Sequence, residues 1–172
     1  MSGDPRLRTT GLYPRPVVTQ LQHARFESEV RLVATAARAW TTLTERLDPW
    51  WCEPLRRPET QAVQLDLRVG GLLWEDFGSG SGIVRGTVKE IIRGERIVFE
   101  GSFDLGGAIS SQVTFEISEH VGERILQVEQ VALGEFTDDE LADQRAMWRS
   151  VLGSYRRVVD ASAPPPPSGR PA

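Results

Sequence analysis

The chain has 172 residues, of which 40% are hydrophobic and 26% charged, and its formal net charge is -4. This length suits one domain with tails rather than two complete cores, and the balanced composition argues against an intrinsically disordered protein. Acidic and basic residues are mixed along the chain without a basic stripe, which argues against binding to nucleic acid. A single cysteine, Cys52, excludes an internal disulfide. No apolar run approaches the ~20 residues of a membrane helix, so we predict no membrane span and a cytoplasmic location.

Both ends of the chain differ in composition from the middle. Residues 1–23 contain three prolines and no sustained periodicity, which predicts a flexible N-terminal extension. Residues 161–172 contain four consecutive prolines, which cannot continue a helix and predict a disordered, proline-rich tail. The predicted folded domain is therefore residues 24–160.

The domain begins with a strand and a short helix. Within residues 26–32, mostly apolar residues alternate with charged ones, which is typical of a half-buried strand. Thr35 is a predicted cap for a helix over residues 36–43, whose apolar side chains recur at helical spacing. Asp48-Pro49 interrupts this helix, and Trp50-Trp51 follow in a loop or a second, one-turn helix.

Strand patterns dominate the middle of the chain. Gly70-Gly71 predicts a tight hairpin turn, because glycine adopts the positive φ angles that such turns require. Most predicted strands follow one another through short turns, which favours an antiparallel meander of six to seven strands. After the first, the predicted strands are 63–69, 72–77, 83–92, 97–103, one around 113–117 and one around 126–130.

The strongest helix pattern lies at the end of the predicted folded domain, before the proline-rich tail. Thr137 and Glu140 have the spacing of a capping box, followed by about 22 helical residues that would extend roughly 33 Å. This is the one predicted element long enough to cover the apolar face of the sheet. The predicted fold is α+β: a curved antiparallel sheet wrapped around this helix, with two short helices after the first strand. The apolar stripe of the helix comprises Leu141, Trp148, Val151, Leu152, Tyr155, Val158 and Val159.

Residues 25–160 resemble a known family in several segments and in their order. The branch of the START-like superfamily (SRPBCC) that is named after the activator of Hsp90 ATPase has a similar sequence. The resemblance implies a helix-grip (START/Bet v 1-like) fold with a deep pocket between the sheet and the C-terminal helix. This fold hosts carriers, cyclases, hydroxylase subunits and co-chaperone domains, so it implies less about activity. The segments that carry the resemblance are 29–43, 48–51, 66–71, 86–91, 96–99 and the helix containing Trp148.

The chain is rich in aromatic residues, with five tryptophans and six phenylalanines. Most of them fall on elements predicted to face the interior, where they would line a cavity for an apolar or aromatic ligand or interdigitate as core. Gln130 shares its strand face with apolar residues and is a predicted polar anchor. The predicted ligand-binding residues are Trp40, Trp50, Trp51, Trp74, Phe77, Phe99, Phe103, Phe115, Gln130, Trp148, Leu152 and Tyr155.

Polar residues inside such a pocket would decide whether it performs chemistry. Glu75 and Asp76 are adjacent on one strand, so one of the two carboxylates must face inward. Arg85, Glu100, Gln112 and Arg145 are further candidates. The sequence has no serine triad, metal-ligand cluster or phosphate loop, so we assign no catalytic residue, metal or cofactor.

Three functions are compatible with the sequence. The preferred one is binding of a small hydrophobic molecule by a monomer or homodimer, without catalysis. The alternatives are a polyketide cyclase- or hydrolase-like enzyme that uses pocket carboxylates, and an Hsp90 co-chaperone-like protein that binds a chaperone or another protein.

Overall fold

A computed structural model of the chain describes residues 21–161. Most of the predicted N-terminal extension and nearly all of the proline-rich tail lie outside the described residues, so both remain predictions. The elements in chain order are β1 (Gln22–Leu32), α1 (Ala36–Glu45), β2 (Ala62–Leu65), β3 (Leu72–Gly78), β4 (Ser81–Ile92), β5 (Arg96–Glu100), β6 (Ala108–His120), β7 (Glu123–Gly134) and α2 (Asp138–Ala161).

The strands form one seven-stranded sheet in the order β1-β7-β6-β5-β4-β3-β2, and all neighbours are antiparallel. The core lies between the inner face of this sheet and the two helices. The predicted α+β helix-grip architecture is confirmed. β2 to β7 pair in succession, and β7 then pairs with β1. This order leaves β1 and β2 as the two edge strands of the sheet.

β1 alternates as its sequence predicts, although it begins at Gln22, before the predicted domain boundary at residue 24. Ala24, Phe26 and Leu32 are buried on the inner face, whereas Arg25 and Glu27 are exposed on the outer face. The period of two follows from the pleat of a strand, which turns successive side chains to opposite faces.

One helix, rather than the predicted two, follows β1. Thr35 caps α1, since its side chain accepts a hydrogen bond from the backbone nitrogen of Arg38 (3.3 Å). Beyond α1, the backbone nitrogens of Trp50 and Trp51 both donate to the carbonyl oxygen of Leu47, which closes a single turn. This turn does not continue as a helix, and residues 46–61 form a long irregular segment, here called the tryptophan segment.

The hairpin between β2 and β3 is looser than predicted. β2 ends at Leu65 rather than at residue 69, and Val69 is largely exposed. The connection is a loop over residues 66–71 whose end is fixed by Gly71, where a Cβ atom would lie 2.0 Å from the carbonyl oxygen of Asp66. The two glycines do lie in the turn, as predicted, but the turn is longer than their sequence indicates.

α2 begins with the predicted capping box. The Thr137 hydroxyl accepts from the Glu140 backbone nitrogen (3.2 Å), and the Glu140 carboxylate accepts from the Thr137 backbone nitrogen (2.8 Å). At its other end, Asp160 accepts from the backbone nitrogens of Val33 (3.0 Å) and Ala34 (3.1 Å). The helix is therefore fixed at both ends. It runs alongside β1 in the same direction, because Arg145 near its start lies over Phe26 and Asp160 near its end contacts Val33.

Candidate ligand-binding site

The interior between sheet and helices is filled by a continuous cluster of aromatic rings. Neighbouring rings have centroids 5.3–6.3 Å apart, mostly in edge-to-face or tilted arrangements, which are favourable for aromatic pairs. The cluster joins α2, the tryptophan segment and the inner face of the sheet. Its members are Trp50, Trp51, Phe99, Phe103, Phe115, Trp148 and Tyr155.

A small void remains beside this cluster, and its volume is about 10 Å³. A void of this size holds at most one water molecule, whereas pockets for drug-sized ligands measure about 300–1,000 Å³. All of the side chains around it are apolar, and Leu65 at its margin is half-buried. The lining residues are Leu43, Leu47, Trp50, Trp51, Leu65, Leu73, Ile97, Phe99 and Phe115.

The deep pocket implied by the resemblance is thus closed in this structure. The tryptophan segment is the physical reason, because it carries the indoles of Trp50 and Trp51 against the inner face of the sheet. Both side chains are 1% exposed. The aromatic side chains that were expected to line a cavity instead fill most of it.

A buried carboxylate, Glu75 on β3, fixes the tryptophan segment to the sheet. Its Oε1 accepts from the indole nitrogen of Trp51 (2.9 Å) and from Nε of Arg85 (2.7 Å). Its Oε2 accepts from the backbone nitrogen of Arg57 (2.8 Å) and from the hydroxyl of Thr60. Three donors of this set therefore come from the tryptophan segment, and the fourth comes from β4.

Arg85 completes this network from the opposite side. Its side chain is 2% exposed, and it forms ion pairs with Glu75 (2.6 Å) and with Asp104 (2.6 Å). It also donates to the carbonyl oxygen of Leu55 in the tryptophan segment. Buried charges are tolerated when they are paired and hydrogen-bonded, and this pair meets both conditions.

The network also determines the protonation of Glu75. Burial raises the pKa of this carboxyl, but hydrogen bonds from Thr60, Arg57 and Trp51 and the charge of Arg85 outweigh burial, so the pKa lies below its ordinary value of 4.5. An ionised carboxylate whose two oxygens already accept this many bonds is poorly suited to take up a proton. Glu75 therefore acts as an anchor rather than as a general acid or base.

A second buried network surrounds Gln130 on β7. Its Oε1 accepts from the indole nitrogen of Trp148 (2.7 Å) and from Nε2 of Gln144 (2.8 Å). Its Nε2 donates to the carbonyl oxygen of Ser102 and to the hydroxyl of Ser111, both at 3.0 Å. All four hydrogen-bonding positions of the amide are used, so Gln130 offers no free group to a ligand.

Among the remaining predicted ligand-binding residues, Trp74 requires a correction. It lies half-buried on the outer face of the sheet beside Leu72 and Val84, because it alternates with Leu73 and Glu75, which both face inward. Trp40 is 8% exposed in the core without lining the void, and Leu152 is buried in α2. Phe77 is half-buried near the end of β3, outside the core cluster.

The predicted polar candidates separate in the same way. Of the adjacent carboxylates, Glu75 faces inward and Asp76 does not. Glu100 lies on the exposed surface in an ion pair with Lys89 (2.7 Å), and Gln112 faces the outer surface of the sheet. Arg145 is exposed, with its guanidinium over the ring of Phe26 at 5.6 Å from the centroid.

Sequence reasoning missed Gln144, which is 4% exposed and donates to Gln130 and to the carbonyl oxygen of Phe103. Gln144 precedes Trp148 by four residues and so lies on the apolar stripe of α2, a signal that could have revealed it. Leu43, Leu47 and Ile97 around the void were likewise not selected, because an isolated aliphatic residue carries no functional pattern.

Three properties of the described residues bear on the kind of site this is. Within residues 21–161, no group of three or more histidine, cysteine, aspartate or glutamate side chains is arranged to hold a metal ion. In the same range, every buried side-chain nitrogen or oxygen has a hydrogen-bond partner. Neither α1 nor α2 is long and apolar enough to cross a membrane.

Comparison with solved structures gives the same architecture at low sequence identity. The Aha1 dimer from Colwellia psychrerythraea is 14% identical with a TM-score of 0.61, and the match covers 82% of this chain and 99% of that one. CalU16 from Micromonospora echinospora is 16% identical with a TM-score of 0.56, covering 82% and 87%. DynU16, a protein of the dynemicin biosynthetic locus, is 21% identical with a TM-score of 0.61, covering 81% of this chain. The chain spans about half of DynU16, 48% of its length.

No curated protein matches this sequence. The family model described as "Activator of Hsp90 ATPase homolog 1-like protein" matches residues 33–159, from the loop after β1 to the last turns of α2. This match covers well over half of the chain and includes the tryptophan segment, both buried polar networks and the aromatic cluster. The chain therefore belongs to the activator of Hsp90 ATPase homolog 1-like family, within the START-like superfamily that its sequence resembles.

Proposed function

We propose that this protein binds a small, wholly apolar or aromatic molecule between the tryptophan segment and the inner face of the sheet, without catalysing a reaction. The observation that carries the proposal is the void, which is lined by nine apolar side chains. Four of these are aromatic: Trp50, Trp51, Phe99 and Phe115. A ligand would enlarge this void by displacing the tryptophan segment, which is irregular and is fixed to the sheet largely through Glu75 and Arg85.

The polar groups of the interior support binding over catalysis. Glu75 is ionised and saturated with donors, and Gln130 uses all four of its hydrogen-bonding positions. Neither group is available to exchange a proton with a substrate. The cyclase- or hydrolase-like alternative needs an inward carboxylate with a raised pKa, and Glu75 has the opposite shift.

The absence of a free polar group around the void also defines the ligand. A hydroxyl or carboxylate placed among these nine side chains would lose its hydrogen bonds to water without replacement, which costs several kcal/mol. Naphthalene, which is flat, apolar and without hydrogen-bonding groups, is therefore the appropriate probe.

The five tryptophans allow a direct test by NMR, because each indole N–H gives a separate signal in a ¹⁵N-labelled sample. Naphthalene should shift the indole signals of Trp50 and Trp51 with saturation, while that of Trp74 on the outer face should stay constant. Equal shifts at all five positions, or none up to the solubility limit, would rule out the proposed site.

Leu65→Phe is the matching variant, because Leu65 is half-buried at the margin of the void. Overpacking there costs about 1 kcal/mol or more, so naphthalene should bind about fivefold more weakly. Leu72→Phe, on the outer face of the neighbouring strand, is the control and should bind like the unmodified protein. Equal affinities for both variants would place the binding elsewhere.

A further inference from the structure

The edge of β1 and the adjacent surface of α2 enclose a groove separate from the interior void. It has a volume of about 320 Å³ and is lined by Glu27, Ser28, Glu29, Val30, Arg145, Arg149 and Leu152. β1 is the terminal strand of the sheet, so the side of its backbone away from β7 has no neighbouring strand among residues 21–161. An exposed strand edge of this kind is a template for pairing with another extended segment.

The charges around this edge are divided between the two faces of β1. Glu27 and Glu29 share the outer face with Arg25, which pairs with Glu27 (2.7 Å) and with Glu129 of β7 (2.6 Å). The opposite face carries Ser28 and Val30, and the charged groups beside it are those of α2. The acidic residues of the groove therefore project away from its helical wall.

The helical wall of the groove is basic. Arg145 lies over the ring of Phe26, and among residues 21–161 its side chain makes one hydrogen bond, at 3.5 Å, to the carbonyl oxygen of Leu141. Arg149 is exposed and has no ion-pair partner among the described residues. Neither guanidinium is neutralised within the described part of the chain, so both are available to a carboxylate bound in the groove.

The spacing of the two arginines matches an extended chain. Residues four apart on a helix are about 6 Å apart along its axis, and residues two apart on a strand are about 6.7 Å apart. α2 runs alongside β1 in the same direction, so a strand added to β1 would present every second side chain to Arg145 and Arg149 in turn. Its intervening side chains would lie on the face of Glu27 and Glu29, which repel further acidic groups.

We propose that the edge of β1 and the arginines of α2 bind an extended peptide segment of a partner protein, with acidic side chains at alternate positions and non-acidic side chains between them. Backbone hydrogen bonds to β1 would supply affinity, and Arg145 and Arg149 would select the charge pattern. A second copy of this chain fits less well, because β1 pairing with β1 would bring the arginines of both copies to the same side of the joined sheet. The proposal is independent of the apolar site, because the linings of the groove and of the void share no residue.

A capped synthetic peptide of about nine residues that alternates threonine and glutamate tests this, since it would span about 30 Å as a strand. Two further peptides serve as controls, one with glutamine in place of glutamate and one with the same glutamates in a contiguous block. The alternating acidic peptide should bind the full chain with saturation and shift the backbone amide signals of β1. Both controls should bind more weakly.

Arg149→Glu is the decisive variant, because Arg149 is exposed and has no ion-pair partner within residues 21–161 that the change would remove. It replaces an attraction with a repulsion, so binding of the acidic peptide should weaken by about fivefold or more at low salt. Arg157→Glu reverses an exposed charge on the same helix outside the groove and should leave binding unchanged. Equal losses in both variants would mean only a general charge effect and would overturn the proposal.

Two other results would also overturn it. One is the absence of saturable binding up to about 1 mM peptide, a limit that covers weak peptide complexes. The other is protection of both sides of β1 from amide exchange in the free protein, which would mean that the edge is already occupied. Sedimentation would then separate the two possible occupants. A dimer would mean that a second copy covers the edge, and a monomer would mean that the first 20 residues of the chain cover it.

Discussion

Replacing Glu75 with glutamine should destabilise the protein strongly. The substitution keeps the shape of the side chain but removes the charge that neutralises Arg85, which is only 2% exposed. It also replaces one carboxylate oxygen, which accepts hydrogen bonds, with an NH₂ group, which donates them. In one orientation of the amide this NH₂ group would face the donors of Trp51 and Arg85, and in the other those of Arg57 and Thr60.

The expected cost can be estimated from the network. Breaking a buried ion pair by removing one partner costs about 3–5 kcal/mol. The lower end applies here, because Asp104, whose side chain is 25% exposed, remains 2.6 Å from Arg85 and compensates part of its charge. We expect Glu75→Gln to lower the free energy of unfolding by about 3 kcal/mol.

Urea unfolding followed by tryptophan fluorescence measures this loss as a lower midpoint at an unchanged slope. Glu100→Gln is the matched control, because Glu100 pairs with Lys89 at the surface and both side chains are more than half exposed (58% and 52%). That change should cost less than about 1 kcal/mol. A similarly small loss for Glu75→Gln would refute the view that Glu75 anchors the tryptophan segment.

The same carboxylate predicts a pH dependence with a definite sign. The pKa of Glu75 is lower in the folded protein than in the unfolded chain, so the unfolded chain takes up a proton first as the pH falls. The stabilisation by Glu75 is fully present above its ordinary value of 4.5 and is lost as the pH falls through the lower, folded value. The difference in unfolding free energy between the unmodified protein and Glu75→Gln should therefore shrink in acid, and a constant difference would contradict this.

The remaining predictions concern α2 and its contacts. Trp148→Ala should cost about 3–5 kcal/mol in urea unfolding, because it empties a core position that is 1% exposed and removes a donor to Gln130; a loss below about 1 kcal/mol would contradict the packing described here. Gly153→Ala should stabilise the protein by about 0.5–1 kcal/mol, since the added methyl group meets no atom within 4 Å and alanine favours the helix; a lower melting temperature would be the contrary result. Thr137→Ala should cost about 1 kcal/mol through the lost cap of α2, and an unchanged unfolding midpoint would show that the capping box contributes little.

The interior site was only partly predictable from the sequence. The inward position of Gln130 followed from the strand face that it shares with Leu126 and Val128, and burial of one carboxylate of the Glu75-Asp76 pair followed from the pleat. The sequence did not reveal that Glu75 would meet three donors from the tryptophan segment, because those donors are 15 to 24 residues away along the chain. Trp74 and Phe77 were both expected inside, although they lie on opposite parities of β3, where one regular strand cannot turn both inward.

Local patterns in the sequence determined the antiparallel meander, the capped C-terminal helix and its apolar stripe, because each depends on residues close together along the chain. The volume left between sheet and helix was decided only by tertiary packing. That volume is the small difference between the space that the sheet and helices enclose and the volume of the side chains that fill it. Two of these side chains, the indoles of Trp50 and Trp51, come from residues 46–61, an irregular segment whose path no periodicity predicts. The open edge of β1 beside Arg145 and Arg149 was likewise set by the order of the strands and by the side of the sheet on which α2 lies.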